Sequence, residues 1–360
     1  MSSIDIFTEQ LYNGAQLSER ALHLALGECN LRLRSNSPEL ISQLEHYFSH
    51  AACPPCDADM EIVAIERDEP ELGIDFIDWK REPGKTGRKD SYFDFPDGRL
   101  VRKVRTGMVF LQSENRRIAA GPCLRYDNQV INFINAQYMN WLQHRNWLIC
   151  HAAGLVHNGR TLGIAGFSGG GKSTLMLHML EQPGIHYLTN DRLFIKSGSA
   201  ATRAAGIPKL PRVNPGTIVH NPRLHPLIPE QQRKSLLALP REELWELEEK
   251  YDVLIDQVYG AGRITQQAPL AAFLVLNWHR DSDQPLNLQP VDLAGREDLL
   301  GAIMKSPGPF YQYADGSFYQ DDTPFDEQPY LETLKNIPVY EASGGIDFNA
   351  MAKRLDELMQ

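Results

Sequence analysis

Residues 166–173 read Gly-Phe-Ser-Gly-Gly-Gly-Lys-Ser, a G-x-x-x-x-G-K-[S/T] pattern in which each position has a reason in phosphate chemistry. Gly166, Gly169, Gly170 and Gly171 lack a Cβ, so successive backbone N–H groups can turn inward around a phosphate that any side chain would obstruct. Lys172 places an ammonium between the β- and γ-phosphates, and the Ser173 hydroxyl can hold Mg²⁺. Ser168 and Thr174 complete the loop and first-turn residues expected to line a nucleotide. The ligands expected from this pattern are ATP and Mg²⁺. A glycine-rich turn that binds nothing is the alternative.

Such a loop works only between a strand that delivers it and a helix whose positive N-terminal end points at the phosphates. The flanks read that way: strand 148–157, turn Asn158-Gly159, strand 161–165, the loop, helix 173–181 and strand 186–195. Residues 210–239, rich in Pro, Asn and Leu without clean periodicity, read as a long excursion over the nucleotide or substrate site. A charged helix is expected at 241–250, a buried strand at 269–277 and a terminal helix at 348–359. Upstream, 4–26 reads as helix, 30–34 as strand, and 39–48 as a helix that Ser37-Pro38 caps and starts. Strand-like runs follow at 61–67, 73–79, 91–95 and 100–112, with a hairpin at Pro96-Asp97-Gly98. The division expected is an N-terminal α+β domain over residues 1–128 and an ATP-binding domain over 129–360, opening with a helix at 130–144.

At 360 residues the chain is longer than one core usually organises, and its 42% apolar and 23% charged residues are ordinary for a folded protein. A net charge of −10 argues against a nucleic-acid surface. No stretch approaches the roughly 20 apolar residues of a membrane span, so a cytoplasmic protein without a membrane partner is expected. Five scattered cysteines suit reduced thiols. His46, His50, Cys53 and Cys56 have a spacing that can close a tetrahedral zinc site, although Pro54-Pro55 stiffen the loop against it. Residues 309–330 mix aromatics with acids and read either as a lid or docking surface or as a packed surface loop.

The run His151-Ala152-Ala153-Gly154-Leu155-Val156, followed by residues 162–173, resembles the HPr kinase/phosphorylase family, where a histidine opens a hairpin leading into the phosphate loop. Tyr187-Leu188-Thr189-Asn190-Asp191-Arg192 is similar to that family's strand ending in paired aspartates followed by arginine. Outside residues 151–195, Pro208–Thr217 and Tyr259–Arg263 look like the group called HPr-related kinase B. The resemblance implies an α/β fold with a P-loop kinase domain of the HPr kinase and phosphoenolpyruvate carboxykinase type. It further implies a kinase that transfers the γ-phosphate of ATP to a hydroxyl on a protein serine or a small molecule, and self-association into a homo-oligomer. Asp191 would bind or order the metal together with Ser173, and His151 would contact the catalytic carboxylate. Arg263, in a glycine-flanked loop, is a candidate for neutralising γ-phosphate charge, and Lys209 and Arg212 for gripping substrate anions. Asn190 departs from the pattern, since an amide cannot usefully accept the acceptor's proton where the family has its first aspartate. An ATP-binding regulator or scaffold with little or no transfer is therefore the second expectation.

Overall fold

The computed structural model describes residues 2–81, 87–167, 169–247 and 249–359. They fall into two compact units, one comprising residues 1–146 with 306–325 and the other residues 147–305 with 326–360.

The first unit is built on one eight-stranded sheet: β1 (Ala21–Leu26), β2 (Cys29–Ser35), β3 (Met60–Glu66), β4 (Ile77–Asp78), β5 (Asp90–Phe95), β6 (Gly98–Lys103), β7 (Val109–Gln112) and β8 (Arg117–Gly121), in the order 1-2-3-8-7-6-5-4. Helices α1 (Ser3–Tyr12), α2 (Pro38–Tyr47) and α3 (Asp127–Gln143) accompany it. The helix expected over 4–26 ends early, because Asn13 and Gly14 adopt left-handed backbone with φ of 47° and 76°. The second half of that stretch is β1, whose buried residues Leu22, Leu24 and Leu26 alternate with a period of two and pair against β2. Helix α2 starts as expected, with the Ser37 hydroxyl accepting from the Leu40 amide at 3.2 Å and Pro38 in the first turn. The single strand expected over 100–112 is a hairpin of β6 and β7.

The observed division differs from the expected 128/129 boundary for a packing reason. That boundary falls two residues inside α3, whose Phe133 meets Phe110 of β7 at 4.9 Å and whose Gln137 donates to Gln112 at 2.7 Å. Residues 306–325 return to the same unit because Arg99, fully buried, donates to Asp94 and to the carbonyls of Pro309 and Tyr319. Much of the aromatic, acidic segment is thus a packed structural return rather than an open lid.

The second unit adds β9 (Leu148–Cys150), β10 (Ala153–His157), β11 (Arg160–Gly166), β12 (Ile185–Thr189), β13 (Leu193–Lys196), β14 (Arg203–Ala205), β15 (Arg212–Val213), β16 (Tyr251–Asp252), β17 (Gln267–Leu276), β18 (Asn287–Pro290) and β19 (Val339–Ser343). Its nine-stranded sheet runs 12-10-11-17-14-13-9, with β19 beside β17 and β18 beside β19. Parallel pairing joins β11 to β17 and β17 to β19; the other neighbours are antiparallel, so the architecture is mixed α/β. Helix α4 (Lys172–Met179) follows β11 through the glycine loop. A core of Val156, Ala165, Leu188, Phe273, Leu299 and Ile303 joins the sheet to the helix Glu297–Ile303.

The stretch expected to be irregular, 210–239, instead carries helices Pro215–Val219 and Glu230–Leu237 and the 3₁₀ turn Pro222–Leu227. Pro215 and Pro222 occupy first-turn positions and Pro229 the cap of the last helix, where a missing N–H costs nothing, while Pro226 lies within the 3₁₀ turn.

Candidate functional site

Two strands expected to be continuous are each interrupted, and the interruptions face each other. Residues 148–157 split into β9 and β10 around His151, and 186–195 split into β12 and β13 around Asn190, Asp191 and Arg192. Cys150 pairs with Leu193 on one side of the gap and Gly154 with Thr189 on the other. These two pairs share one antiparallel register, which shifts by a residue beyond Gly154, while the intervening ladder, 151–153 opposite 190–192, is open. Backbone pairing on either side aims the side chains of the gap at each other. His151 Nε2 lies 3.1 Å from Asp191 Oδ1, and the other carboxylate oxygen accepts from Arg192 Nη1. The His151 amide is held by the Ile303 carbonyl at 2.7 Å.

Asp191 is half-exposed, at 48%, and its carboxyl titrates well below the usual range. Burial works to raise it, but the guanidinium of Arg192, the hydrogen bond from His151, and the ammonium of Lys305 together overcome that. More cations gather there than one carboxylate neutralises. Lys172 is lowered by burial first and further by Lys305 and Arg192, with Asp191 opposing the shift. Lys209 is pushed down to about 8, by burial and then by Arg192, with Arg212 adding to the effect and Asp191 and Asp252 opposing it. Such a surplus of recessed positive charge favours a bound anion.

The loop that follows β11 has the backbone its sequence requires. Gly169 and Gly171 have φ of 77° and 82°, in the left-handed region, and a Cβ on Gly169 would project into open space. Gly171 caps α4 without any side-chain hydrogen bond to the first-turn amides, which leaves that helix end to a ligand. Lys172 Nζ folds over the loop and donates to the Gly166 carbonyl at 2.7 Å, while the Gly170 amide donates to the Phe167 carbonyl at 3.1 Å. Ser173 and Thr174 lie in the first turn of α4; Ser168 lies outside the described residues. Open space beside the loop, an uncapped helix end and a neighbouring cation surplus fit a polyphosphate. For a divalent cation, Ser173 supplies a hydroxyl, and each oxygen of Asp191 keeps a second lone pair beyond its present contact.

The structure thus brings Lys172, His151 and Asp191 into one neighbourhood and leaves Arg263 out of it. Arg263 donates from Nε to the Ile185 carbonyl at 2.7 Å, from Nη2 to the Leu180 and Gln182 carbonyls at 2.7 and 3.1 Å, and from Nη1 to Tyr259 at 3.2 Å. It closes the C-terminal end of α4, eight residues or roughly 12 Å from the loop, where a cation suits the helix dipole. Its expected role as an arginine finger gives way to a structural one. Among the described residues no group of three or more His, Cys, Asp or Glu is arranged to hold a metal. Cys53 and Cys56 lie 3.9 Å apart, and the Cys56 amide points to His23 Nδ1 at 3.5 Å.

Sequence reasoning missed Lys305, which carries no local motif, and Trp278, whose indole reaches the Gly170 carbonyl at 2.8 Å. The one signal for Trp278 is its position just beyond β17, the parallel neighbour of the strand that delivers the loop. An open cavity of about 380 Å³ beside the Asn158-Gly159 turn, lined by His186, Thr265 and Gln267, sits at the other end of β11 from the loop.

No family model matches the sequence. No curated protein matches it either. Among solved structures, that of the HPr(Ser) kinase/phosphatase from Coxiella burnetii is similar, with 12% sequence identity over 58% of this chain and 87% of that one, at a TM-score of 0.29. Agreement that slight transfers nothing from that enzyme, and the functional reading rests on the residues of this chain. Among the described residues no helix is long and apolar enough to cross a membrane.

Proposed function

We propose that this chain is a Mg²⁺-ATP-dependent kinase that phosphorylates a hydroxyl group on a protein serine or a small molecule. The observation that carries the reading is the meeting of His151 with Asp191 within electrostatic reach of Lys172, at the head of a glycine loop. A proton acceptor then stands beside a seat for a triphosphate, which is what phosphoryl transfer to a hydroxyl requires. The resemblance of residues 151–195 to HPr kinases, and of flanking segments to the HPr-related kinase B group, agrees with it. A P-loop kinase domain of the HPr kinase and phosphoenolpyruvate carboxykinase type, a cytosolic location and self-association belong to the same proposal.

In this reading the loop amides at the head of α4 and the Lys172 ammonium hold the phosphates, and Ser173 with Asp191 holds the metal. Bound Mg²⁺-ATP supplies the transferable phosphoryl group, with part of its charge already neutralised. Asp191 accepts from His151 Nε2, which fixes the neutral ring in the tautomer that leaves Nδ1 free to take a proton from the acceptor hydroxyl. The same carboxylate stabilises the imidazolium that results. Arg192 and Lys305 offset the negative charge that grows during transfer.

A second reading, an ATP-binding regulator or scaffold with little or no transfer, draws on one observation. Asn190 stands where the resembled pattern has a carboxylate, and its buried Oδ1 has no hydrogen-bond partner among the described residues. Incubation with γ-labelled ATP and candidate acceptors separates the two. Label movement that disappears in Lys172→Ala supports the kinase; tight binding without movement supports the regulator. Calorimetry at millimolar Mg²⁺ that finds no uptake of any purine nucleotide removes both.

A further inference from the structure

The phosphate loop is gripped from outside by two aromatic side chains that lie far from it in the sequence. Trp278, 4% exposed, stands two residues beyond the end of β17, and its Nε1 donates to the Gly170 carbonyl at 2.8 Å. Phe348, which opens the helix Phe348–Ala352, meets Trp278 edge to face, with ring centroids 5.4 Å apart and planes at 87°. The same ring lies 2.8 Å from where a Cβ on Gly171 would stand. The next residue back, Asn277, donates at 2.7 Å to Glu341, which Arg296 and Gln289 also hold, so the segment carrying Trp278 is itself anchored.

A trans peptide is planar, so the carbonyl of Gly170 and the N–H of Gly171 point in opposite directions. Fixing one fixes the other. A phosphate seat needs its N–H groups turned inward, because a carbonyl turned inward sets partial negative charge against the anion. Three successive glycines, Gly169-Gly170-Gly171, do little to choose between the two orientations, since each tolerates either sign of φ. The choice has to come from outside the loop, and the Trp278 indole makes it.

We infer that Trp278 is a positioning residue for nucleotide binding: its hydrogen bond holds the Gly170–Gly171 peptide with the N–H facing the phosphates, and Phe348 backs the indole. The inference rests on the reading of residues 166–173 as a phosphate site, and it makes the C-terminal segment part of that site's framework.

The test is Trp278→Phe in the full-length protein, which keeps a ring against Phe348 and removes the donor. Two quantities are measured: the Kd for Mg²⁺-ATP, and hydrogen–deuterium exchange of the peptide spanning 166–173 without nucleotide. The expected result is a Kd and KM raised about tenfold with kcat nearly unchanged, the size of one lost hydrogen bond, together with faster exchange confined to the loop. A wild-type protein that binds Mg²⁺-ATP, beside a variant of equal affinity and equal loop exchange, overturns the inference and leaves the phosphate-site reading standing. A wild type that binds no nucleotide removes that reading, and equal loop exchange in the variant then overturns the positioning role independently. Should Trp278→Phe fold poorly, Phe348→Leu takes its place: affinity weakened about threefold at constant kcat supports the inference, and unchanged affinity overturns it.

Discussion

Asp191 and Glu341 are two carboxylates of the same unit, each beside an arginine and each titrating below its usual range, yet their surroundings differ in one decisive respect. Glu341, only 5% exposed, accepts from Arg296 Nη1 and Nη2, from Asn277 and from Gln289 at 2.7–3.0 Å. Chiefly through Arg296 its carboxyl is drawn down to about 2, against the effect of burial. Four donors saturate it, and it ties β18, β19, the end of β17 and the approach to the helix Glu297–Ile303 into one network. Asp191 has one contact per oxygen, a half-open face, and cations around it in excess. A low pKa alone therefore does not mark a functional carboxylate. Unfilled hydrogen-bonding capacity beside several cations is what sets Asp191 apart from Glu341.

The comparison can be broken by exchanging charge for an isosteric amide at each position. Asp191→Asn is expected to lower phosphoryl transfer about a hundredfold or more while changing unfolding free energy by less than about 1 kcal/mol, read by turnover with labelled ATP and by chemical denaturation. Loss of stability without loss of turnover would make Asp191 a structural residue like its counterpart. Glu341→Gln is expected to do the reverse. It removes about 3 kcal/mol of stability and leaves turnover of the folded fraction close to wild type.

Acid sharpens the same contrast. The pKa of Glu341 is lower folded than unfolded, so its stabilisation is complete above about 4.5 and is lost as pH falls toward about 2. Denaturation curves of wild type and Glu341→Gln should converge as pH falls through that window and stay separated by a constant amount above it. The smallest expected effect is at Lys209, whose folded value of about 8 lies below the ordinary 10.5. A lysine shifted down is held charged at a penalty below about 8, and the penalty is relieved as pH rises from 8 toward 10.5. Lys209→Met should therefore raise the Tm at pH 7, with the gain shrinking across that window. It should also weaken Mg²⁺-ATP or acceptor binding by about threefold at neutral pH. A Tm difference that does not vary with pH would show that Lys209 is solvated like any surface lysine.

How much was legible in advance follows the range of the interactions. Local signals were reliable: the glycine loop between strand and helix, the capped start of α2 and the Asn158-Gly159 turn are set by neighbours a few residues apart. Where local signals competed, the sequence misled. Residues 21–26 carry leucines that fit a helical stripe and an alternating strand alike, and pairing with β2 decided for the strand. Pro215, Pro222 and Pro229 read as breaks and turned out to be starts. Arg263 looked available because its partners are backbone carbonyls, which leave no trace in side-chain identity.

By itself, the sequence determined that a glycine loop stands between a strand and a helix, because glycine, lysine and serine at fixed offsets act through backbone freedom and charge that travel with the residues. Tertiary structure alone decided what stands around it. The open gap between two interrupted strands joins His151 to Asp191, Lys305 arrives from the end of a distant helix, and Trp278 grips the loop across more than a hundred residues. Those contacts depend on sheet register and on which strand lies beside which, and non-local pairing of that kind is fixed only when the whole core closes.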